Sequence, residues 1–343
     1  MSTTSIIITT YNRPDFLAEA IHSCLAQTRL PDELVIGDDS PGDESQLVVE
    51  AIQAIAPVPI RYIHNKPSLK QARNVNMLLE AATSDRILLL HDDDLLMPES
   101  LQILNDVFIA HPTTSVAYGK QYIIDKDGVI DQASSETFNR DFYREKQYEG
   151  AVLTPFEAGL SQQFPNNGYL IDATVARHIK WRYDIGNGCE YDFGYRIGLA
   201  GYELRFVDKF VGKYRLLPDS MSHSKTADQA LQAFIIMRDG PVPSDMAAAI
   251  QQRRLTERAP IAITEAVNIG RRREAVSILF SPWYRSRILT PRGIKRVLYI
   301  LFHVRPVKPF ITRLRLTRRQ SVDWSADTQL VTAHQESTIS PLY

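Results

Sequence analysis

Three consecutive carboxylates, Asp92-Asp93-Asp94, stand directly behind the apolar run Ile87-Leu88-Leu89-Leu90 and His91. An apolar run of this length reads as a strand buried on both faces, so the acids open at a strand end. Side by side at neutral pH they repel one another unless something cationic sits among them. A bound divalent metal ion is the economical answer; a solvated acidic loop capping a helix that begins near Pro98 is the competing reading. Carboxylates without sulfur suit a hard ion that keeps several waters. His91 is either a further ligand, which would favour Mn2+ over Mg2+, or a hydrogen-bonding neighbour. Two other apolar stretches end in polar clusters: Ile6 to Ile8 runs into Thr9-Thr10-Tyr11-Asn12-Arg13, and Leu34 to Ile36 into Asp38-Asp39-Ser40.

The elements that must position these clusters repeat. Phe16, Leu17, Ala20, Ile21 and Cys24 recur at helical spacing after the first strand, Leu47, Val48, Ala51 and Ile52 after the second, and Ala72, Val75, Leu78 and Leu79 after a third at Ile60 to Ile63. Strands alternating with helices predict an α/β fold with a parallel sheet and right-handed crossovers. Ligands bind such sheets at the carboxyl ends of strands, which is where all three polar clusters fall. No Gly-x-Gly-x-x-Gly follows the first strand and no phosphate-binding P-loop motif is present, so a dinucleotide or P-loop site is not supported. Ser115 to Asp131 reads as strand, tight turn and return strand, Thr137 to Gln163 as irregular, Asn166 to Asp172 as a strand, and Glu203 to Arg215 as a final strand or hairpin. From Ala227 the pattern is helical.

At 343 residues the chain is long for one domain, which predicts a large domain with an appendage, or two domains. The net charge of -1 hides an asymmetry: Arg253 to Arg319 holds 17 lysines and arginines against three acids. Cys24 and Cys189 give neither a disulfide framework nor zinc spacing, which fits a reducing, cytoplasmic compartment. The N-terminus enters a strand without a basic leader, and the apolar run Val297 to Phe302 is far short of a membrane span.

Thr9-Thr10-Tyr11-Asn12-Arg13, Asp38-Asp39-Ser40, Ala72-Arg73-Asn74 and Asp92-Asp93-Asp94, in that order and spacing, resemble the family 2 glycosyltransferases over about residues 5 to 225. The resemblance implies a GT-A, Rossmann-like fold with a mostly parallel central sheet and flanking helices. It also implies inverting, Mn2+- or Mg2+-dependent transfer of a sugar from a nucleoside diphosphate, UDP first and dTDP next, to an acceptor hydroxyl. Thr9, Tyr11, Arg13, Asp38, Asp39, Arg73 and Asp92 would then line the donor site. Tyr11 offers a face for the base, Asp39 or Asp38 an acceptor for its N3-H, Arg73 with Lys70 a partner for the diphosphate, and Asp92 an acceptor for the ribose hydroxyls. Counting back from Pro98, His91 stands where relatives carry their first Asp and Asp93 where they carry the metal-binding one. Asp93 is the expected direct ligand, with Asp94, His91 and His223 as further candidates. Glu190, six residues before Arg196 at a helix start, occupies the position of the general base, and Asp192 is its runner-up.

The expected domains are a GT-A unit over 1–225, a helical basic region over 226–320 and a flexible tail over 321–343. The basic clusters and apolar face of the helical region suit an anionic membrane surface, and equally packing or oligomer contacts. The partners expected are a nucleotide-sugar donor and a saccharide or lipid-linked saccharide acceptor, without nucleic acid. A place in surface polysaccharide or glycolipid synthesis, at the inner face of the cell membrane, would follow. The competing classes are an inactive sugar- or nucleotide-binding scaffold and, behind it, a nucleotidyltransferase.

Overall fold

The computed structural model describes residues 2–217 and 227–302. His223, the expected domain boundary at 225 and the expected tail over 321–343 lie outside the described residues. The chain divides into two compact units, 1–184 with 189–217, and 185–188 with 218–343.

In the first unit β1 (Thr4–Thr10), α1 (Pro14–Leu25), β2 (Glu33–Asp38), α2 (Glu44–Gln53), β3 (Ile60–His64), α3 (Gln71–Ala81) and β4 (Arg86–His91) alternate as expected. Their strands run parallel in the order β3-β2-β1-β4. Period-2 alternation sends Ile6, Ile8, Leu34, Ile36, Leu88 and Leu90 into one core with Leu17, Ile21 and Cys24 of α1 and Val49 of α2. Ile7, Val35 and Leu89 point the other way and are buried too. Each such side chain stabilises the fold by roughly 1.5–3 kcal/mol relative to exposure, which fixes the height at which these strands end.

Beyond β4 the chain forms β5 (Leu95–Leu96), α4 (Ser100–Ala110), β6 (Val116–Ile124), β7 (Ile130–Asp131), α5 (Gln132–Asp141), α6 (Pro155–Ser161), β8 (Tyr169–Asp172), α7 (Ala173–Ile179), α8 (Cys189–Leu199) and β9 (Leu204–Arg215). Here the sheet is mixed: β8 lies antiparallel between β4 and β6, β9 runs parallel to β6, and β5 closes the edge antiparallel to β9. Antiparallel neighbours need no crossover helix, whereas the parallel pair β6 and β9 is separated in the chain by α5 to α8. Glu203 to Arg215 forms one strand and not a hairpin. Thr137 to Gln163, expected to be irregular, holds the end of α5 and all of α6. The start of α6 is a capping box in which Thr154 and Glu157 each satisfy the other's backbone amide, a signal present in Thr154-Pro155-Phe156-Glu157.

The described part of the second unit contains α9 (Gln229–Asp239), α10 (Asp245–Asn268), α11 (Arg272–Leu279) and α12 (Pro291–Phe302). α10 continues through Pro260. Its interior is partly polar: Arg254, Arg258 and Glu265 are buried, and Glu265 accepts from the Leu231 amide at 2.8 Å.

α6 and α8 cross where Gly159 and Gly198 meet. A Cβ at Gly198 would collide with the Pro155 carbonyl oxygen and stand 3.3 Å from the Gly159 Cα. Gly198→Ala should therefore destabilise the first unit by about 1–3 kcal/mol, read as a lower urea midpoint. An unchanged midpoint would mean the helices separate without cost.

Candidate functional site

The three carboxylates behind β4 are not a solvated loop. Asp92 and Asp94 are 6% and 1% exposed, and α4 has no side-chain cap. Their charge is met by partners from distant parts of the first unit. Thr10 donates its hydroxyl to Asp92 at 2.8 Å, and the Tyr11 amide donates to the same oxygen at 3.2 Å. Arg13 places its guanidinium 2.5 Å from Asp93 and 3.5 Å from Asp92. Asp94 accepts from the Asn167 side chain at 2.8 Å and from the Arg215 amide at 2.7 Å. The cation that the sequence demanded among these acids is thus, within the described residues, Arg13.

The loop between β1 and α1 makes this geometry. Asn12 takes a left-handed φ of 54°, which asparagine tolerates better than most residues, and its amide donates to Ser40 Oγ at 2.8 Å. The chain turns there, so that Tyr11 faces solvent at 54% exposure while Arg13 folds back over the acids. Asp38 and Asp39 are buried at the end of β2. Asp38 accepts from the Ser40 amide at 2.7 Å and from the Tyr62 hydroxyl at 2.5 Å. Asp39 uses one oxygen, Oδ1, to accept from Asn65 at 2.9 Å and the Leu69 amide at 3.1 Å, which orients the other.

Across the cleft edge Glu190, in the first turn of α8, accepts from Gln71 and from Asn166, each at 2.5 Å. His91 Nε2 lies 3.9 Å from Glu190 Oε1. The Asn167 amide nitrogen that binds Asp94 also stands 3.3 Å from His91 Nδ1. A carboxylate only accepts, so that nitrogen must be the donor; Nδ1 then accepts and Nε2 carries the proton. His91 therefore presents a buried N–H, without a hydrogen-bond partner, toward Glu190.

Burial, with Asp93 adding to it and Arg13 opposing, pushes the Asp92 carboxyl up to about 6. Asp94 is driven well above the carboxylate range, first by burial and then by Asp93. Glu190 is raised by burial against the pull of His91 and Gln71, with Asp93 adding.

Ligand-type atoms of His91, Asp93 and Asp94 lie within 4.8 Å of one another. Two carboxylates with an imidazole are a donor set for a divalent ion, and the protonated Nε2 leaves Asp93 and Asp94 as the groups ready to hold one. Thr9 sits at the end of β1 opposite His91 and Gly37 in the sheet register, while the next residue, Thr10, reaches Asp92. Arg73 and Asp192 make their contacts elsewhere. Arg73 is exposed on α3 with its guanidinium 4.7 Å from the Tyr183 ring centre, and Asp192 is buried against Arg196 at 2.6 Å and Arg182 at 3.6 Å. Thr10, Gln71, Asn166, Asn167 and Arg215 were missed in the sequence. The one local hint was the polar pair Asn166-Asn167 ahead of β8.

This sheet is that of a GT-A glycosyltransferase. The chain is similar over 87% of its length to S. aureus TarS 1-349 in complex with UDP-GlcNAc, with a TM-score of 0.56, 15% identity and 79% of that chain covered. It is similar over 88% of its length to the mannosyltransferase PcManGT from Pyrobaculum calidifontis in complex with GDP-Man and Mn2+, with a TM-score of 0.54, 16% identity and 88% of that chain covered. The Glycosyl transferase family 2 model matches residues 5–164, and that segment belongs to the family. An uncharacterized glycosyltransferase of Nostoc sp. is 36% identical over 132 residues, 38% of this chain and 41% of that protein. The GalNAc(5)-diNAcBac-PP-undecaprenol beta-1,3-glucosyltransferase of Campylobacter jejuni is 27% identical over 183 residues, 50% of this chain and 57% of that protein. The matched segments thus span less than two thirds of these two relatives.

A carboxyl raised on folding holds its proton more tightly in the folded protein. Asp92 therefore costs stability above about pH 6, and Asp94 acts in the same direction; the cost fades as pH falls toward the ordinary carboxylate range. A cation held by Asp93 and Asp94 competes with the proton on Asp94. Saturating Mn2+ should raise Tm by about 5 °C or more at pH 7.5 and lose most of that effect by about pH 5. The check is a thermal melt with and without Mn2+ across this range. Equal shifts at both ends would place the ion elsewhere.

Proposed function

We propose that this protein transfers a glycosyl group, with inversion, from a nucleoside diphosphate sugar to an acceptor hydroxyl. UDP is the favoured nucleotide and dTDP the next. The observation that carries the reading is the meeting, in one partly buried patch, of the paired acids Asp93 and Asp94 with Glu190, a carboxylate held by two carboxamides and faced by His91. The exposed ring of Tyr11 takes the face of the base, and Asp39 offers Oδ2 to its N3-H. Asp93, with Asp94 behind it, would hold Mn2+ or Mg2+, which when bound supplies positive charge against the departing diphosphate. Arg13 adds charge-assisted donors for the same anion, and Arg73, exposed on α3, would join it by leaving the Tyr183 ring.

Glu190 acts as the base. A carboxyl above its usual range holds a proton better, which suits a group that must take one from a hydroxyl. As the acceptor oxygen bonds to the anomeric carbon, its proton passes to Glu190, and the bond from that carbon to phosphate breaks with the electron pair leaving on the nucleoside diphosphate. Gln71 and Asn166 fix the carboxylate plane during this step. His91, whose Nε2 lies 3.9 Å from Glu190 Oε1, favours the charged form from which the base starts. The acceptor we propose is a saccharide, lipid-linked, in surface polysaccharide or glycolipid assembly at the inner face of the membrane. The name of the Campylobacter relative and the basic C-terminal region support that choice.

Calorimetric titration with UDP, with and without Mn2+, is the test, run beside Asp93→Ala and Glu190→Gln. Metal-dependent binding should vanish in Asp93→Ala. Glu190→Gln should bind the donor normally and lose about 10²–10⁴-fold in turnover. Binding of dTDP or GDP in place of UDP would keep the reaction and change the donor; binding of no nucleotide by the wild-type chain would sink the reading and leave the scaffold alternative.

A further inference from the structure

We infer that α12 docks this protein onto an anionic lipid bilayer, lying in the plane of the interface. The inference deepens, and for its purpose rests on, the transferase reading with a lipid-linked acceptor; its observations are independent of that site.

The helix buries one side and leaves apolar side chains exposed on the opposite one. Gly293, Arg296, Tyr299 and Ile300 are buried. Ile294, Leu298, Leu301 and Phe302 are 48%, 46%, 60% and 65% exposed. Spaced by four, three and one residues, the second set forms a single stripe turned about 180° from the first at 3.6 residues per turn. Leu289, just ahead of the helix, is 88% exposed. Arg292 and Lys295 are exposed on the same helix, with Arg285 and Arg287 before it.

Charge selects the occupant of this stripe. Residues 275–322 contain eleven lysines and arginines and no aspartate or glutamate. A second copy of the chain meeting this face with its own α12 would bring like charges together. The chain's own residues 303–319 carry six of the eleven and would do the same. Nucleic acid answers the charge but gives four large apolar side chains nothing to enter. An anionic bilayer answers both, with headgroups for the cations and the acyl boundary for the stripe. Twelve residues make a helix of about 18 Å, which can lie in an interface and not cross it. Among the described residues no helix is long and apolar enough to cross a membrane.

The test is sedimentation of the full chain with phosphatidylcholine vesicles, with and without phosphatidylglycerol, for the wild type, Ile294→Ser/Leu298→Ser and Arg292→Glu/Lys295→Glu. These side chains are exposed, so the fold should survive, and UDP titration of the same samples checks that it does. Binding should require phosphatidylglycerol, weaken with added salt and fall about tenfold or more in either variant. No binding by the wild type at low salt, or binding that both variants retain, overturns the inference. So does a concentration-dependent dimer lost in Ile294→Ser/Leu298→Ser, which assigns the face to a second copy. RNA retention lost only in Arg292→Glu/Lys295→Glu, without vesicle binding, assigns it to nucleic acid and overturns it as well. UDP binding without vesicle binding sinks the docking alone. Vesicle binding with no nucleotide binding supports the docking and sinks the transferase reading.

Discussion

Burying two of three consecutive carboxylates, Asp92 and Asp94, with Asp93 partly buried between them at the end of β4, is the constraint on which the first unit turns. An unpaired buried charge costs several kcal/mol, so each acid must be met, and the partners come from three separate places. β1 and its loop supply Thr10, the Tyr11 amide and Arg13; the approach to β8 supplies Asn167; the end of β9 supplies the Arg215 amide. Arg215 binds this ring together. Its fully buried guanidinium donates to the Asp93 carbonyl at 2.8 Å, pairs with Glu19 of α1 at 2.5 Å and lies 4.6 Å from the centre of the Phe16 ring. A strand that enters the sheet 120 residues after the acids thereby locks the turn that carries them to the helix that follows Arg13.

Division of labour follows from the topology. The parallel half, β1 to β4, presents strand ends and therefore acids and an open ring; the mixed half brings α8 up beside them through the glycine contact with α6. On a helix, residues two apart point about 200° from one another, so Glu190 and Asp192 cannot serve the same cleft. Glu190 faces His91, and Asp192 turns to Arg196 and Arg182, where it holds the helix to the segment before it. Geometry thus separates two carboxylates that sequence spacing alone left as alternatives.

What could be read in the sequence was local. An apolar run followed by acids, repeated strand-helix alternation and residues at strand ends are all contained in windows of a few residues, and the parallel half and its three clusters came from these. What could not be read was parity and distance. Thr9 and Thr10 are indistinguishable until the strand's alternation is fixed by its neighbours, and it is Thr10 that meets Asp92. Gln71, Asn166, Asn167 and Arg215 each act on a group 24 to 121 residues away, and a single polar residue carries no mark of a remote partner. The capping box at Thr154 was a local signal that the aromatic, charged surroundings obscured.

α12 shows the same limit from the other side. Periodicity finds an amphipathic helix in Arg292 to Phe302, and the ordinary expectation is that its leucines face inward and its arginines outward. The structure reverses part of that pattern. Arg296 is inside, donating to the Tyr284 hydroxyl at 3.1 Å and toward the Pro260 carbonyl at 3.3 Å, while Ile294, Leu298 and Leu301 are outside. The Pro260 carbonyl, in the middle of α10, also accepts from the Thr264 hydroxyl at 3.2 Å, while the carbonyl that the missing proline N–H leaves without its ladder partner, that of Thr256, accepts from Arg287 at 3.4 Å. The two acceptors of Arg296 hold it on the inner face, and the helical period then carries Ile294, Leu298 and Leu301 to the surface. The exposed stripe is therefore a consequence of how the second unit folds around Pro260, and the cations beside it set the chemistry of what can cover it.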